Sequence, residues 1–164
     1  MEQTLHPDRI LEPQCGQRAL VVFENRADSA QLRLLQPGFR HCFCLVGSET
    51  SWTVCDPLKT RIELSPVLGL TEPDLADHFV GVGCIVLRGR VSQDRRVRPF
   101  RLRAFSCVEV VRRVLNIEVR GVLTPFHLYR ALLKLRAPDG PFRRHWPANI
   151  SLDSNQRLGL SSHR

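Results

Sequence analysis

Apolar and polar residues alternate with a period of two over much of the first two thirds of the chain, a pattern typical of β-strands. The segments Phe39–Val46 and Ser51–Asp56 flank the turn-like Gly47–Thr50, which predicts an antiparallel hairpin. Pro66, Gly69 and Pro73 interrupt the pattern between residues 64 and 75, where we expect irregular structure. The predicted strands are Arg18–Glu24, Phe39–Val46, Ser51–Asp56, Phe79–Val91 and Arg98–Phe105, with a further short strand at Ile62–Leu64.

The spacing of apolar residues becomes helical after residue 105. It predicts a helix over Ser106–Leu115 with Ser106 as its N-cap and Asn116 as its stop signal. A second helix follows Thr124, an N-cap candidate, and Pro125, a residue favoured in the first helical turn. Strands followed by helices predict an α+β fold, a small antiparallel sheet packed against two or more helices.

The composition divides the chain of 164 residues into three parts. We expect a polar N-terminal arm over residues 1–17, one α+β domain over residues 18–135, and a basic, poorly ordered tail over residues 136–164. No apolar stretch has the length of a membrane span or the position of a secretory signal, so we expect a cytoplasmic protein with no membrane contact. The oligomeric state stays open.

The net charge of +8 comes almost entirely from arginine, since only Lys59 and Lys134 among the 24 basic residues are lysine. The region Arg88–Arg113 has the densest positive charge. It would suit an anionic polymer such as nucleic acid, or an acidic substrate, or it is a solvated face of an arginine-rich protein. The sequence leaves these alternatives open.

The six cysteines do not resemble a disulfide framework or a zinc site. Without an export signal, free thiols in a reducing compartment are the better interpretation. Cys42 and Cys44 are one residue apart, whereas structural zinc sites favour pairs separated by two to four residues. We therefore predict no metal and no cofactor. The cysteines are Cys15, Cys42, Cys44, Cys55, Cys84 and Cys107.

Cys107 and His41 together have the chemistry of a thiol hydrolase. Cys107 lies in the first turn of a predicted helix, where the positive end of the helix dipole lowers a thiol pKa and free N–H groups can hold an oxyanion. His41 lies in the first hairpin strand and could accept the thiol proton. Each alone is better explained as a structural residue, and only their combination points to a site; His78 is an alternative base.

Asp56 is the candidate for the third group, which would orient the histidine. If Val46 pairs with Ser51, His41 falls directly opposite Asp56 on one face of the hairpin. A slip of one residue would separate them. The alternative is that Asp56 before Pro57 simply ends the strand.

The segments GFRHCFCLV, SWTVCDP, FSCVEVVRRVLNI and LTPFHLYRALL resemble circularly permuted NlpC-type, papain-like cysteine hydrolases over about residues 18–135. In permuted members the histidine strand precedes the cysteine helix, as His41 precedes Cys107. The segment from Ser106 to Ile117 also resembles small bacterial and phage proteins. The Cys42-Phe43-Cys44 sequence departs from the small residues that are typical of the family strand.

The resemblance implies a permuted papain-like fold with Cys107 as nucleophile, His41 as base and Asp56 as orienting residue. It implies a peptide or acyl substrate, peptidoglycan-type peptides among them, and a cytoplasmic or phage-particle location. The functional alternatives are a catalytically inactive interaction or virion structural module with a basic face, and a nucleic-acid-binding protein.

Overall fold

The computed structural model describes residues 17–27, 30–92, 105–135 and 142–147. In these residues the chain forms an α+β fold, as predicted, with a short 3-10 helix at Ala30–Leu34. The strands are β1 (Arg18–Glu24), β2 (His41–Ser48), β3 (Ser51–Pro57), β4 (Ile62–Leu68), β5 (Ile85–Arg90) and β6 (Arg143–Arg144). The α-helices are α1 (Glu72–Gly81), α2 (Cys107–Val114) and α3 (Pro125–Lys134).

All six strands belong to one antiparallel sheet with the order β4-β3-β2-β1-β5-β6. Alternate side chains of the central strands enter two separate cores, as the period of two requires. Val21 of β1 packs in one core with Val111 of α2 and Leu128 of α3. Leu20 packs in the other core with Leu75 of α1. The sheet therefore has α2 and α3 on one face and α1 on the other.

The predicted β1 and the two predicted helices are confirmed. The side chains of Ser106 and Thr124 cap α2 and α3, accepting hydrogen bonds from the backbone N–H groups of Glu109 and His127 at 3.2 Å. Asn116 has a φ of 51°, a left-handed conformation that ends helices. Because caps and stop signals act locally, they could be identified without knowledge of the sheet.

The prediction for residues 64–91 is wrong in two places. β4 continues through Pro66, because an edge strand tolerates a residue without a backbone N–H. The expected irregular segment also contains the start of α1, where Thr71 and Asp74 form a capping box and Pro73 lies in the first turn. The apolar Phe79 and Val80 belong to this helix, so the strand predicted to begin at Phe79 is β5 and begins at Ile85.

Residues 142–147 depart from the expectation of a poorly ordered tail. β6 pairs with β5, and Phe142 packs so closely over Gly89 that a Cβ atom at Gly89 would lie 2.5 Å from its ring. Nε2 of His145 lies 2.6 Å from Oδ1 of Asp77 in α1, which ties this segment to the opposite face of the sheet. The folded unit therefore includes residues beyond 135. The strand predicted over Arg98–Phe105 lies outside the described residues except for Phe105.

No helix in the described ranges combines the length and the apolar character that a membrane span requires.

Candidate active site

The register of the β2–β3 hairpin differs from the predicted one by two residues. Ser48 pairs with Ser51 across a two-residue turn, so the predicted pairing of Val46 with Ser51 is wrong. His41 is therefore not directly opposite Asp56. A shift of two residues nevertheless leaves every side chain on its predicted face, because side chains alternate with a period of two.

His41 and Asp56 meet diagonally across the hairpin. Nε2 of His41 lies 2.7 Å from Oδ1 of Asp56. Diagonal neighbours in an antiparallel pair have Cα atoms about 7–8 Å apart, a distance that long polar side chains can bridge. His41 is only 4% exposed, and the low dielectric of its surroundings strengthens this bond. With Nε2 bound to Asp56, Nδ1 is the ring nitrogen left for another partner.

Arg26 holds the other oxygen of the carboxylate. Its Nη2 donates to Oδ2 of Asp56 at 3.0 Å, while its Nε lies 3.1 Å from Oε1 of Glu24. Burial alone would raise the pKa of Asp56, but the hydrogen bonds from His41 and Arg26 outweigh burial and hold the pKa below its ordinary value. Asp56 is therefore a carboxylate at neutral pH, fixed at both oxygens.

Cys107 is the first residue of α2, directly after the Ser106 cap. The cap satisfies the N–H of Glu109, and the Ser106 carbonyl satisfies that of Val110. Among the described residues, the N–H groups of Cys107 and Val108 have no hydrogen-bond acceptor. The first turn of α2 therefore offers two N–H groups and the positive end of the helix dipole beside the thiol.

The Cys107 sulfur has two neighbouring residues in β2. Cys42 approaches it with both its thiol and its backbone N–H, and His41 approaches it with its imidazole. The hydrogen bond from the Cys42 thiol is the largest influence on the pKa of Cys107. Burial opposes it, and the His41 interactions add to it, so that the pKa falls from 9.0 to about 5. Cys107 is therefore a thiolate at neutral pH.

The pKa of the His41 imidazole shifts in the opposite direction from that of Cys107. Burial lowers the pKa of His41, but the hydrogen bond to Asp56 and the interactions with Cys107 outweigh it and raise the pKa from 6.5 to about 9. Between pH about 5 and about 9, the pair therefore holds one proton, on the imidazole, and forms a thiolate–imidazolium ion pair.

The structure brings together Cys107, His41 and Asp56, the three residues singled out in the sequence, but two contributors were not predicted. Arg26 was missed because nothing in the sequence shows that β1 is adjacent to β2 with Glu24 opposite His41. No role beyond that of a free thiol was predicted for Cys42. Its position after His41 on the opposite face of β2 is what directs it towards α2.

Other candidates do not belong to this site. His78 is exposed on α1, where its ring contacts Phe79, and His127 is exposed on α3. No three His, Cys, Asp or Glu side chains of the described residues are arranged to hold a metal ion.

The basic region is described only in part, since residues 93–104 fall outside the described ranges. Three of its arginines pair with carboxylates of this chain. Nε of Arg88 lies 2.5 Å from Glu72, and both Arg112 and Arg113 bind Glu109. These three contribute less free positive charge than the sequence suggests.

Comparison with models of known protein families found no match. Searches of curated proteins and of solved structures found no significantly similar protein. The functional argument therefore rests on the geometry of the site.

Proposed function

We propose that this protein is a cysteine hydrolase or acyltransferase in which Cys107 is the nucleophile, His41 the general acid and base, and Asp56 the orienting residue. The observation that carries the proposal is the chain of contacts from Asp56 through His41 to a thiolate at a helix N-terminus. A purely structural cysteine has no need of an ionised sulfur, a fixed imidazole and free N–H groups in one place.

In the first half of the reaction, the Cys107 thiolate attacks the carbonyl carbon of an ester, thioester or amide. The N–H groups of Cys107 and Val108 are in position to hold the oxyanion that forms. The His41 imidazolium then donates its proton to the leaving alcohol, thiol or amine, and the bond to the leaving group breaks. The products of this half are a thioester on Cys107 and a neutral imidazole.

In the second half, neutral His41 accepts a proton from water or from an acceptor alcohol or amine. Asp56 accepts the Nε2 hydrogen throughout, so Nδ1 is the atom that exchanges protons. The acceptor attacks the thioester, and the thiolate leaves. This step restores the thiolate–imidazolium pair and releases a carboxylic acid or a transferred acyl group.

The resemblance to permuted NlpC-type, papain-like hydrolases supports the same proposal. The histidine strand β2 precedes the cysteine helix α2, the order that defines the permuted arrangement. We propose this fold relationship together with the activity, with peptide or acyl substrates and peptidoglycan-type peptides as one class to test. Action inside the cytoplasm or from a phage particle is part of the same proposal.

The test is acylation by an activated aryl ester followed by peptide mass spectrometry. We expect a burst of one phenolate per chain and an acyl group on Cys107. The Cys107→Ser variant should lose the burst, whereas Cys84→Ser, which alters a cysteine outside the site, should retain it. Acyl groups distributed over several cysteines, or acylation no faster than that of free cysteine, would contradict the proposal and favour an inactive interaction module.

A further inference from the structure

Cys42 and Cys107 form a pair of thiols with different environments. Cys42 is fully buried in β2, in the core that α2 and α3 cover. Cys107 packs against the same core but is partly exposed. Cys107 lies on the helix that packs against β2, and the Cys42 thiol and backbone N–H both influence its pKa, so the two sulfurs are neighbours on facing elements.

This arrangement is typical of a reactive cysteine and its resolving partner. The partly exposed member, Cys107, is the ionised one, and it can meet an oxidant from solvent. The buried member keeps its proton, because burial and the adjacent Cys107 thiolate both raise its pKa. Oxidation of Cys107 would remove that negative charge and so make the Cys42 thiol easier to deprotonate.

We propose that Cys42 and Cys107 form a reversible disulfide when the protein meets a hydroperoxide, and that this bond switches the site off. The proposal relies on the proposed function only for its consequence, the loss of activity. The formation of the bond depends only on the two thiols and their neighbour His41.

The chemistry balances in two steps. The Cys107 thiolate attacks one oxygen of hydrogen peroxide, the O–O bond breaks, and the His41 imidazolium gives its proton to the departing hydroxide. Cys107 becomes a sulfenic acid and one water is released. Cys42 then attacks the sulfenic sulfur, and its proton leaves with the hydroxyl group as a second water. The two sulfurs are oxidised together and the peroxide is reduced.

A second cysteine pair provides an internal comparison. Cys44 and Cys55 are directly opposite each other in β2 and β3 and share a hydrogen bond. Both are buried, so neither offers an exposed sulfur to a peroxide. We therefore expect oxidation to begin at Cys107 and to involve Cys42 rather than this neighbouring pair.

The experiment exposes the full chain to limited hydrogen peroxide. The chain is then unfolded in an alkylating reagent, and its peptides are mapped by mass spectrometry. We expect a peptide pair linked through Cys42 and Cys107, with two fewer free thiols per chain. Dithiothreitol should restore labelling of Cys107 almost fully. A linked Cys44–Cys55 pair, or Cys107 oxidised to sulfinic acid while Cys42 stays reduced, would overturn the proposal.

Cysteine variants test whether Cys42 is the thiol that resolves oxidised Cys107. Without a resolving thiol, Cys42→Ala should oxidise further, and dithiothreitol should restore a smaller fraction of its Cys107 labelling than in the wild type. Cys84→Ala should behave like the wild type. Because the linked peptide is read in the wild type, the test holds even if Cys42→Ala folds poorly. Disulfide formation without any aryl-ester turnover would refute the proposed function alone, whereas turnover unaffected by formation of the bond would refute the switch.

Discussion

The ionisation of Cys107 can be measured directly by its reaction with a small aromatic disulfide across a range of pH. With a pKa of about 5, half of the Cys107 sulfur is thiolate at that pH, and the rate should be almost constant from pH 6.5 upwards. An ordinary thiol instead gains about tenfold per pH unit until its pKa, near 8.5. The pH at which the rate reaches half its maximum therefore gives the pKa of the reacting thiol. Peptide mass spectrometry shows that the rate is that of Cys107.

The size of the effect depends on the pH chosen. At pH 7 a pKa of about 5 rather than 9.0 raises the thiolate fraction by about 100-fold. The weaker nucleophilicity of a less basic sulfur lowers the rate by about 40–100-fold, so the two nearly cancel. At pH 5.5 the gain in thiolate over a thiol with a pKa of 9.0 is about 2,400-fold, and Cys107 should react about 25–60 times faster than such a thiol.

Variants of His41 test whether its imidazolium causes the lowered pKa of Cys107. In His41→Ala the midpoint should rise by about 1–3 pH units, the usual influence of a nearby opposite charge. His41→Gln, whose amide can still bind Asp56, should show the same rise if charge rather than packing is responsible. His78→Ala, which alters an exposed histidine of α1, is the matched control. A wild-type rate that climbs steadily to pH 8, or a midpoint that His41→Ala leaves unchanged, would refute the reasoning.

Further predictions concern the surroundings of the pair. Cys42→Ala should raise the midpoint of Cys107, because the Cys42 hydrogen bond is the largest influence on that pKa. Asp56→Asn should lower the pH at which ester turnover declines from its value near 9, since the carboxylate helps to keep the imidazole protonated. Phe142→Ala should cost about 3–5 kcal/mol of unfolding free energy in urea, the cost of a buried aromatic ring, whereas exposed Phe105→Ala should cost little. The unfolding free energy that separates wild type from the double variant His41→Ala/Cys107→Ala should stay level between pH 9 and 6.5, because the raised His41 pKa and the lowered Cys107 pKa have opposite and equal effects on its slope there. It should fall by about 2 kcal/mol between pH 6.5 and 5, where the unfolded chain binds a second proton that the native pair does not.

Local signals in the sequence predicted the elements that hold the nucleophile. Ser106 and Thr124 are N-cap residues before apolar helical spacing, and both caps are present. Such signals act within one turn of chain, so they do not depend on the rest of the fold. The same kind of signal occurs at Thr71 and Asp74, but the nearby prolines predicted a break there, although one of them lies in the first turn of α1.

Contacts between distant segments could not be predicted in the same way. Arg26 reaches Asp56 because β1 lies beside β2, and neither the strand order nor the β1–β2 register has a local signature. The attachment of Phe142 over Gly89 is also a long-range contact, and the composition of residues 136–164 gave no sign of it. The contacts that depend on strand order, such as that of Arg26 with Asp56, are therefore the ones that the sequence did not predict.

The contact between Asp56 and His41 has a physical reason that does not depend on the assumed register. Every slip by an even number of residues keeps His41 and Asp56 on one face of the hairpin, and the two-residue slip that occurs moves them from opposite to diagonal positions. A histidine and an aspartate both have enough reach for the diagonal, and the observed separation of 2.7 Å is a full hydrogen bond. By the same parity Cys42 must lie on the opposite face, under α2. One strand thus supplies the base and, at the next residue, a second thiol beside the nucleophile. Inserting a single residue between His41 and Cys42 would place both side chains on one face of β2, so we expect one of them to lose its contact with Cys107.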